Sequence, residues 1–146
     1  MIKLKRLLKE AKQVGTLYHF TSFDSLKNIL QSNTIKGSWG NEGVKGKYVS
    51  TTRDKNLWKT DPNLGAEELQ VALVLDGDKL SNKYKIRPYA YEPYRVFDRS
   101  GAEAEELIML PTGVLPDTDQ YLLGVSLLKK NNRMRSYLDE KGIKVL

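Results

Sequence analysis

Thr16-Leu17-Tyr18-His19-Phe20 is a short run of β-branched and aromatic residues, and it reads as a strand. Thr21-Ser22 follows at once and can cap a helix, in which Phe23, Leu26, Ile29 and Leu30 form one apolar stripe down to Asn33. This strand, cap and helix unit holds the one histidine of the chain. Upstream, Ile2, Leu4, Leu7, Leu8, Ala11 and Val14 recur at nearly helical spacing among lysines, which predicts an amphipathic helix over residues 2–13 that ends before Gly15.

Downstream, four glycines between Gly37 and Gly46, with Ser38, Trp39 and Asn41, predict a loop. Lys47-Tyr48-Val49-Ser50-Thr51-Thr52 reads as a second strand. Gln70 to Leu75 is an apolar run before Asp76-Gly77, as expected of a central strand covered on both faces. Tyr84 to Arg87 and Tyr94 to Phe97 are short strand candidates set apart by Pro88 and Pro93. Glu106 to Leu110 is a strand stopped by Pro111, and Tyr121 to Leu128 is read as another. Lys130 to Glu140 reads as a helix with Gly142 as its stop, and Ile143 to Leu146 as an edge strand. Dispersed strands with helices near both ends predict an α+β fold rather than a doubly wound sheet, and no Rossmann or Walker loop is present. Neither a repeat nor a dividing linker appears, so residues 1–146 are expected to form a single domain.

Composition narrows the chemistry. The absence of cysteine excludes disulfides, thiolate zinc sites and cysteine nucleophiles, and one histidine excludes a multi-histidine metal site, so no metal is expected. No window approaches the roughly eighteen uncharged residues of a membrane-spanning helix, and Met1-Ile2-Lys3-Leu4-Lys5-Arg6 leads into no apolar signal core. A cytoplasmic protein, of a bacterial cell or a phage-infected host, is the expectation, with no membrane partner. The chain carries 24 Lys+Arg against 18 Asp+Glu, net +6. Residues 1–12 carry five bases and one acid, and Lys129, Lys130, Arg133 and Arg135 follow one another with no acid between. Such clusters attract nucleic-acid phosphates or an acidic protein, and equally suit solvated helix faces.

Three segments put polar groups on otherwise apolar strands: Tyr18-His19-Phe20-Thr21-Ser22, Tyr48-Val49-Ser50-Thr51-Thr52, and Glu103-Ala104-Glu105-Glu106-Leu107. Taken singly, each has an ordinary reading: a satisfied core histidine, a β-prone strand end, a solvated charge cluster. Carboxylates entering an apolar strand nevertheless risk desolvation and a perturbed pKa.

In order and spacing, the three together resemble the ADP-ribosyltransferase superfamily. Leu17 to Ser22 with the helix after it is similar to the family's opening strand and helix. Gly46 to Thr52 resembles both its aromatic-x-Ser-Thr-Ser/Thr strand and the Gly-x-Tyr strand of its His-Tyr-Glu branch, and Glu103-Ala104-Glu105 has the Glu-x-Glu form of transferase toxins. The likeness spans roughly residues 16–128. His19 stands where the arginine-serine-glutamate branch has arginine, so the motif is mixed. The resemblance implies a split β-sheet core with flanking helices and NAD as co-substrate, whose nicotinamide-ribose bond is cleaved and whose ADP-ribose passes to a macromolecular acceptor, a protein or a nucleic acid. By the same resemblance His19 and Thr21 would hold the adenosine side of NAD, with Ser50 and Thr51 on the binding strand. Tyr48 would stack on nicotinamide and Ser50 would orient the glutamate. Glu105 or Glu106 would bond the nicotinamide ribose, with Glu105 favoured by the Glu-x-Glu spacing and Glu103 orienting or activating the acceptor. Arg53 and Arg87 are candidates for the pyrophosphate on charge alone. Adjacent strand residues face opposite ways, so one of Glu105 and Glu106 is expected to face the cleft. The alternatives are a non-catalytic basic module for nucleic acid or an acidic protein, and an RNA 2′-phosphotransferase-like enzyme on the same fold. A compact form of this kind suits a toxin, a phage-encoded modifier of host molecules or another effector, by analogy.

Overall fold

The computed structural model describes residues 14–39, 46–56, 69–88 and 105–146. The helix expected over residues 2–13, the strand expected over Tyr94 to Phe97, and Glu103 lie outside the described residues, as does the side chain of Glu105.

The apolar run becomes β5 (Val71–Asp76), five of whose six residues are buried. It pairs antiparallel on one side with β1 (Thr16–Thr21) and on the other with β9 (Leu122–Leu127). Continuous Val and Leu suit this place, because a strand with neighbours on both edges and packing on both faces offers its side chains no water. The other strands among the described residues are β2 (Ile35–Lys36), β3 (Ser38–Trp39), β4 (Lys47–Thr52), β6 (Ile86–Pro88), β7 (Glu105–Leu110) and β8 (Val114–Leu115). One sheet runs β6-β7-β4-β1-β5-β9 with β3 attached to β4, and β2 pairs separately with β8. Every strand pair described is antiparallel, which makes the protein α+β.

Among the described residues three α-helices accompany the sheet: α1 (Phe23–Ser32), the short α2 (Gly77–Ser81) and α3 (Asn132–Glu140). Ser22 caps α1 by accepting from Ser25 N, and Gln70 Oε1 accepts from Phe23 N at 2.8 Å, so two of its orphan donors are satisfied. Asn33 ends it in the left-handed region at φ 56°. Leu26 of α1 and Met134 and Leu138 of α3 are buried in the same cluster as Leu17, Leu73 and Val125 of the sheet. Each such side chain, fully withdrawn from water, stabilises the fold by roughly 1.5–3 kcal/mol.

The entry into β1 is pinned by a carboxylate. Asp78 Oδ1 accepts from Val14 N at 2.6 Å and Gly15 N at 2.9 Å, and Gly77 N donates to Gly15 O. A Cβ at Gly77 would collide with Gly15 O, so glycine is required at this close approach.

The sequence reading differs from the structure in several places, and the helix at Gly77–Ser81 and the strands Ile35–Lys36 and Val114–Leu115 are not among its expectations. Ser38-Trp39, expected in a loop, forms β3 against Tyr48 and Lys47, because its backbone completes the open edge of β4. The expected edge strand at the C-terminus reduces to one parallel bridge, Val145 to Val125, with Val125 N donating to Lys144 O and Leu146 N to Val125 O. The strand expected over Tyr84 to Arg87 begins later, at Ile86, and reaches Pro88.

Candidate functional site

The site begins with how β4 shares its edges. On one side β7 pairs with it from Lys47↔Leu110 to Thr52↔Glu105. On the other side β1 takes the far end, at Tyr18↔Thr52, and β3 takes the near end, at Ser38↔Tyr48 and Trp39↔Lys47. Val49, Ser50 and Thr51 lie between these two partners, and no ladder pair to a described residue is formed with them on that side. The ladder is therefore open there, a local split within one continuous sheet.

His19 stands at the split. Its Nδ1 donates to the carbonyl of Ser50 at 2.9 Å, so an imidazole takes an acceptor that a ladder would otherwise use. With Nδ1 as donor, the neutral ring presents Nε2 as an acceptor, and Nε2 has no bond to another described residue. Burial holds the His19 pKa below its ordinary value, against the opposing pull of the Ser50 carbonyl, so the neutral ring is favoured.

From His19 a cleft of about 680 Å³ opens under α1. Thr21 lines it from β1; Ser25, Asn28, Gln31 and Ser32 line it from α1; Thr34, Lys36 and Ser38 line it from the segment that follows. Among the described residues the wall combines hydroxyls and amides with Ile29, Ile35 and one lysine, and holds no carboxylate. Such a wall suits a ligand rich in hydroxyls and carrying negative charge. The sequence reading missed the helix contribution, although the signal was present. With the stripe of Phe23, Leu26, Ile29 and Leu30 turned to the core, Ser25, Asn28, Gln31 and Ser32 recur on the opposite side of the same helix. Lys36, the lysine among the described residues of the cleft, sits on β2, which the sequence did not signal.

Of the sequence candidates, His19 and Thr21 line the cleft. Ser50 does not line it and is joined to it only through the carbonyl that accepts from His19 Nδ1. Tyr48 pairs with Met109 on one side and Ser38 on the other, which sets it at the near margin of the split. Thr51 is buried, and its hydroxyl donates to Glu106 O at 2.8 Å, so it ties β4 to β7. Glu106 is buried at the start of β7, with Oε1 3.0 Å from Arg53 Nε. Its pKa is raised by burial, and the Arg53 guanidinium opposes the rise. Glu105 pairs with Thr52, and Arg87 pairs with Leu107 at the outer edge of the sheet. Register separates the two positions of each doublet. Val49 and Thr51 lie across from Ile108 and Glu106 on one face, and Tyr48 and Ser50 lie across from Met109 and Leu107 on the other.

No family model, curated protein or solved structure matches the chain. The case for its chemistry rests on its own geometry. Among the described residues no group of histidine and carboxylate side chains could hold a metal ion, and no helix is long and apolar enough to cross a membrane.

Proposed function

We propose that the protein is an NAD-dependent ADP-ribosyltransferase with an ADP-ribosyltransferase-like split sheet. The observation that carries this reading is the split itself: the three strands bearing the polar motifs, β1, β4 and β7, are neighbours in that order, and the cleft starts at His19 where β1 and β4 part. Motifs separated by some thirty and fifty residues in the chain are thereby brought within two strand spacings, about 10 Å.

In this reading Nε2 of neutral His19 accepts from a hydroxyl of the adenosine ribose, and Thr21 and the amide and hydroxyl wall of α1 bind the rest of that nucleoside. Lys36 replaces Arg53 as the pyrophosphate partner, since Arg53 is already paired with Glu106. Tyr48 stacks on nicotinamide, and Ser50 orients the carboxylate. The bond between nicotinamide nitrogen and ribose C1′ breaks with its electron pair leaving on neutral nicotinamide. An oxocarbenium-like ribose remains, stabilised by a carboxylate from the start of β7. A nucleophile of the acceptor then attacks C1′ and gives up its proton. Glu106 is buried with the Arg53 guanidinium beside it to favour its charged form, and Glu105 has the Glu-x-Glu spacing.

The test is nicotinamide release from NAD, followed by chromatography, with protein, DNA and RNA offered as acceptors, and mass spectrometry for one added ADP-ribose unit. His19→Ala should abolish release, and separate Glu105→Gln and Glu106→Gln variants should identify the carboxylate. Absence of release with every acceptor refutes the reading. If RNA carrying a 2′-phosphate then loses it to NAD, the phosphotransferase alternative takes its place.

A further inference from the structure

At the exit of β9 the chain runs through Lys129 and Lys130 into α3, whose first turn carries Arg133 and Arg135. All four side chains are exposed, and none has a hydrogen bond or ion pair to another described residue. The first turn of α3 has no acid and its last turn no base, while Asp139 and Glu140 close the helix. This is the reverse of what the helix dipole favours, at a cost of a few tenths to 1 kcal/mol per charge. The arrangement gives up stability, so stability does not account for it.

The ridge adjoins the cleft through one helix. Phe23 of α1 meets Tyr137 of α3 edge to face at 5.6 Å, and Lys27 Nζ lies over both rings, at 4.7 and 5.2 Å. Lys141 Nζ stands 5.7 Å from the Tyr137 ring centroid. Arg133 is one turn before Tyr137. The opposite side of α1 is the cleft wall, so α1 stands between the cleft and the helix that carries Arg133 and Arg135.

We infer that the ridge Lys129, Lys130, Arg133 and Arg135 docks the phosphate backbone of a nucleic acid, which makes nucleic acid the acceptor class of the proposed transferase. The assignment of the acceptor rests on the proposed function; the docking does not. Protein interfaces have an apolar centre, whereas nucleic-acid interfaces are polar and strongly positive. The exposed large apolar side chains of the described residues, Leu123 and Leu146, lie outside the ridge, which offers cations alone.

The experiment is fluorescence anisotropy of the full chain with labelled DNA and RNA, single-stranded and duplex, across salt concentrations without NAD. Four phosphate contacts give a slope of log affinity against log salt of about −2.8 on single strands and about −3.6 on duplex. Arg133→Gln with Arg135→Gln should halve the slope and, at 0.1 M salt, weaken single-strand binding by about 25-fold. The double variant should melt no lower than wild type and should release nicotinamide at an unchanged basal rate. Lys83→Gln, outside the ridge, should bind as wild type does. Unchanged affinity in the double variant, or polyglutamate binding as tightly as the oligonucleotides, overturns the inference. Ridge-dependent binding by a protein that never releases nicotinamide upholds the docking surface and refutes the transferase.

Discussion

Replacing Glu106 by glutamine should leave the protein as stable or more stable at alkaline pH, and should remove the proposed nicotinamide release if this is the ribose carboxylate. The carboxylate is 9% exposed and its partner Arg53 is 53% exposed. A half-exposed guanidinium attracts through water and counterions, so the pair gives about 0.2–1 kcal/mol. The cost of withdrawing a carboxylate from water is several kcal/mol when burial is complete. The second effect wins, in keeping with a pKa raised above the ordinary 4.5 by burial despite Arg53. A folded-state pKa above the unfolded one means that the native state favours the protonated group. Its contribution is then fully present below pH 4.5 and lost as pH rises through the raised folded value. Glutamine keeps the shape without the charge. At pH 4 the two proteins should melt together, and by pH 8 the variant should lead by about 1 kcal/mol, or about 2–4 °C. If Glu106 is the ribose carboxylate, nicotinamide release at pH 8 should fall by about 100-fold or more. Differential scanning calorimetry between pH 4 and 8 decides the matter. A variant that melts several degrees below wild type at pH 8 would show that the Arg53 pair, not desolvation, governs the site.

His19 has the opposite sign. Its folded pKa lies below the ordinary 6.5, so its contribution is present above that value and is lost as pH falls through the folded one. Melting temperature should drop more steeply between pH 7 and 5 in wild type than in His19→Gln. At the sheet's far edge a Cβ on Gly124 would stand 2.7 Å from Lys144 O, the acceptor of Val125 N. Gly124→Ala should therefore displace the C-terminal bridge, cost about 2 kcal/mol for two backbone bonds, and speed amide exchange at Val125 and Leu146.

The central strand was legible because Val71 to Leu75 needed no partner to declare itself: an apolar run of that length has one place in a sheet. The first helix was legible for a similar local reason, a serine cap followed by a stripe. The strand over Tyr121 to Leu128 could have been helix or strand by periodicity, and its pairing with β5 decided for strand. Elements of two residues were not legible. Ile35-Lys36 and Val114-Leu115 pair across eighty residues, where Asn33 and Asp119 exchange a side-chain and a backbone hydrogen bond. Nothing in either segment's own pattern records that meeting. In the site, His19 and the two polar strand ends were read from type and order. Which face each occupies depended on register, and the helical wall depended on what the stripe left exposed.

An edge inside a sheet is unusual company for a single imidazole. The bond from His19 to Ser50 acts as a peg between strands that are sewn together beyond it at Tyr18 and Thr52. Losing the peg would release one hydrogen bond and leave the Tyr18 and Thr52 pair beyond it in place.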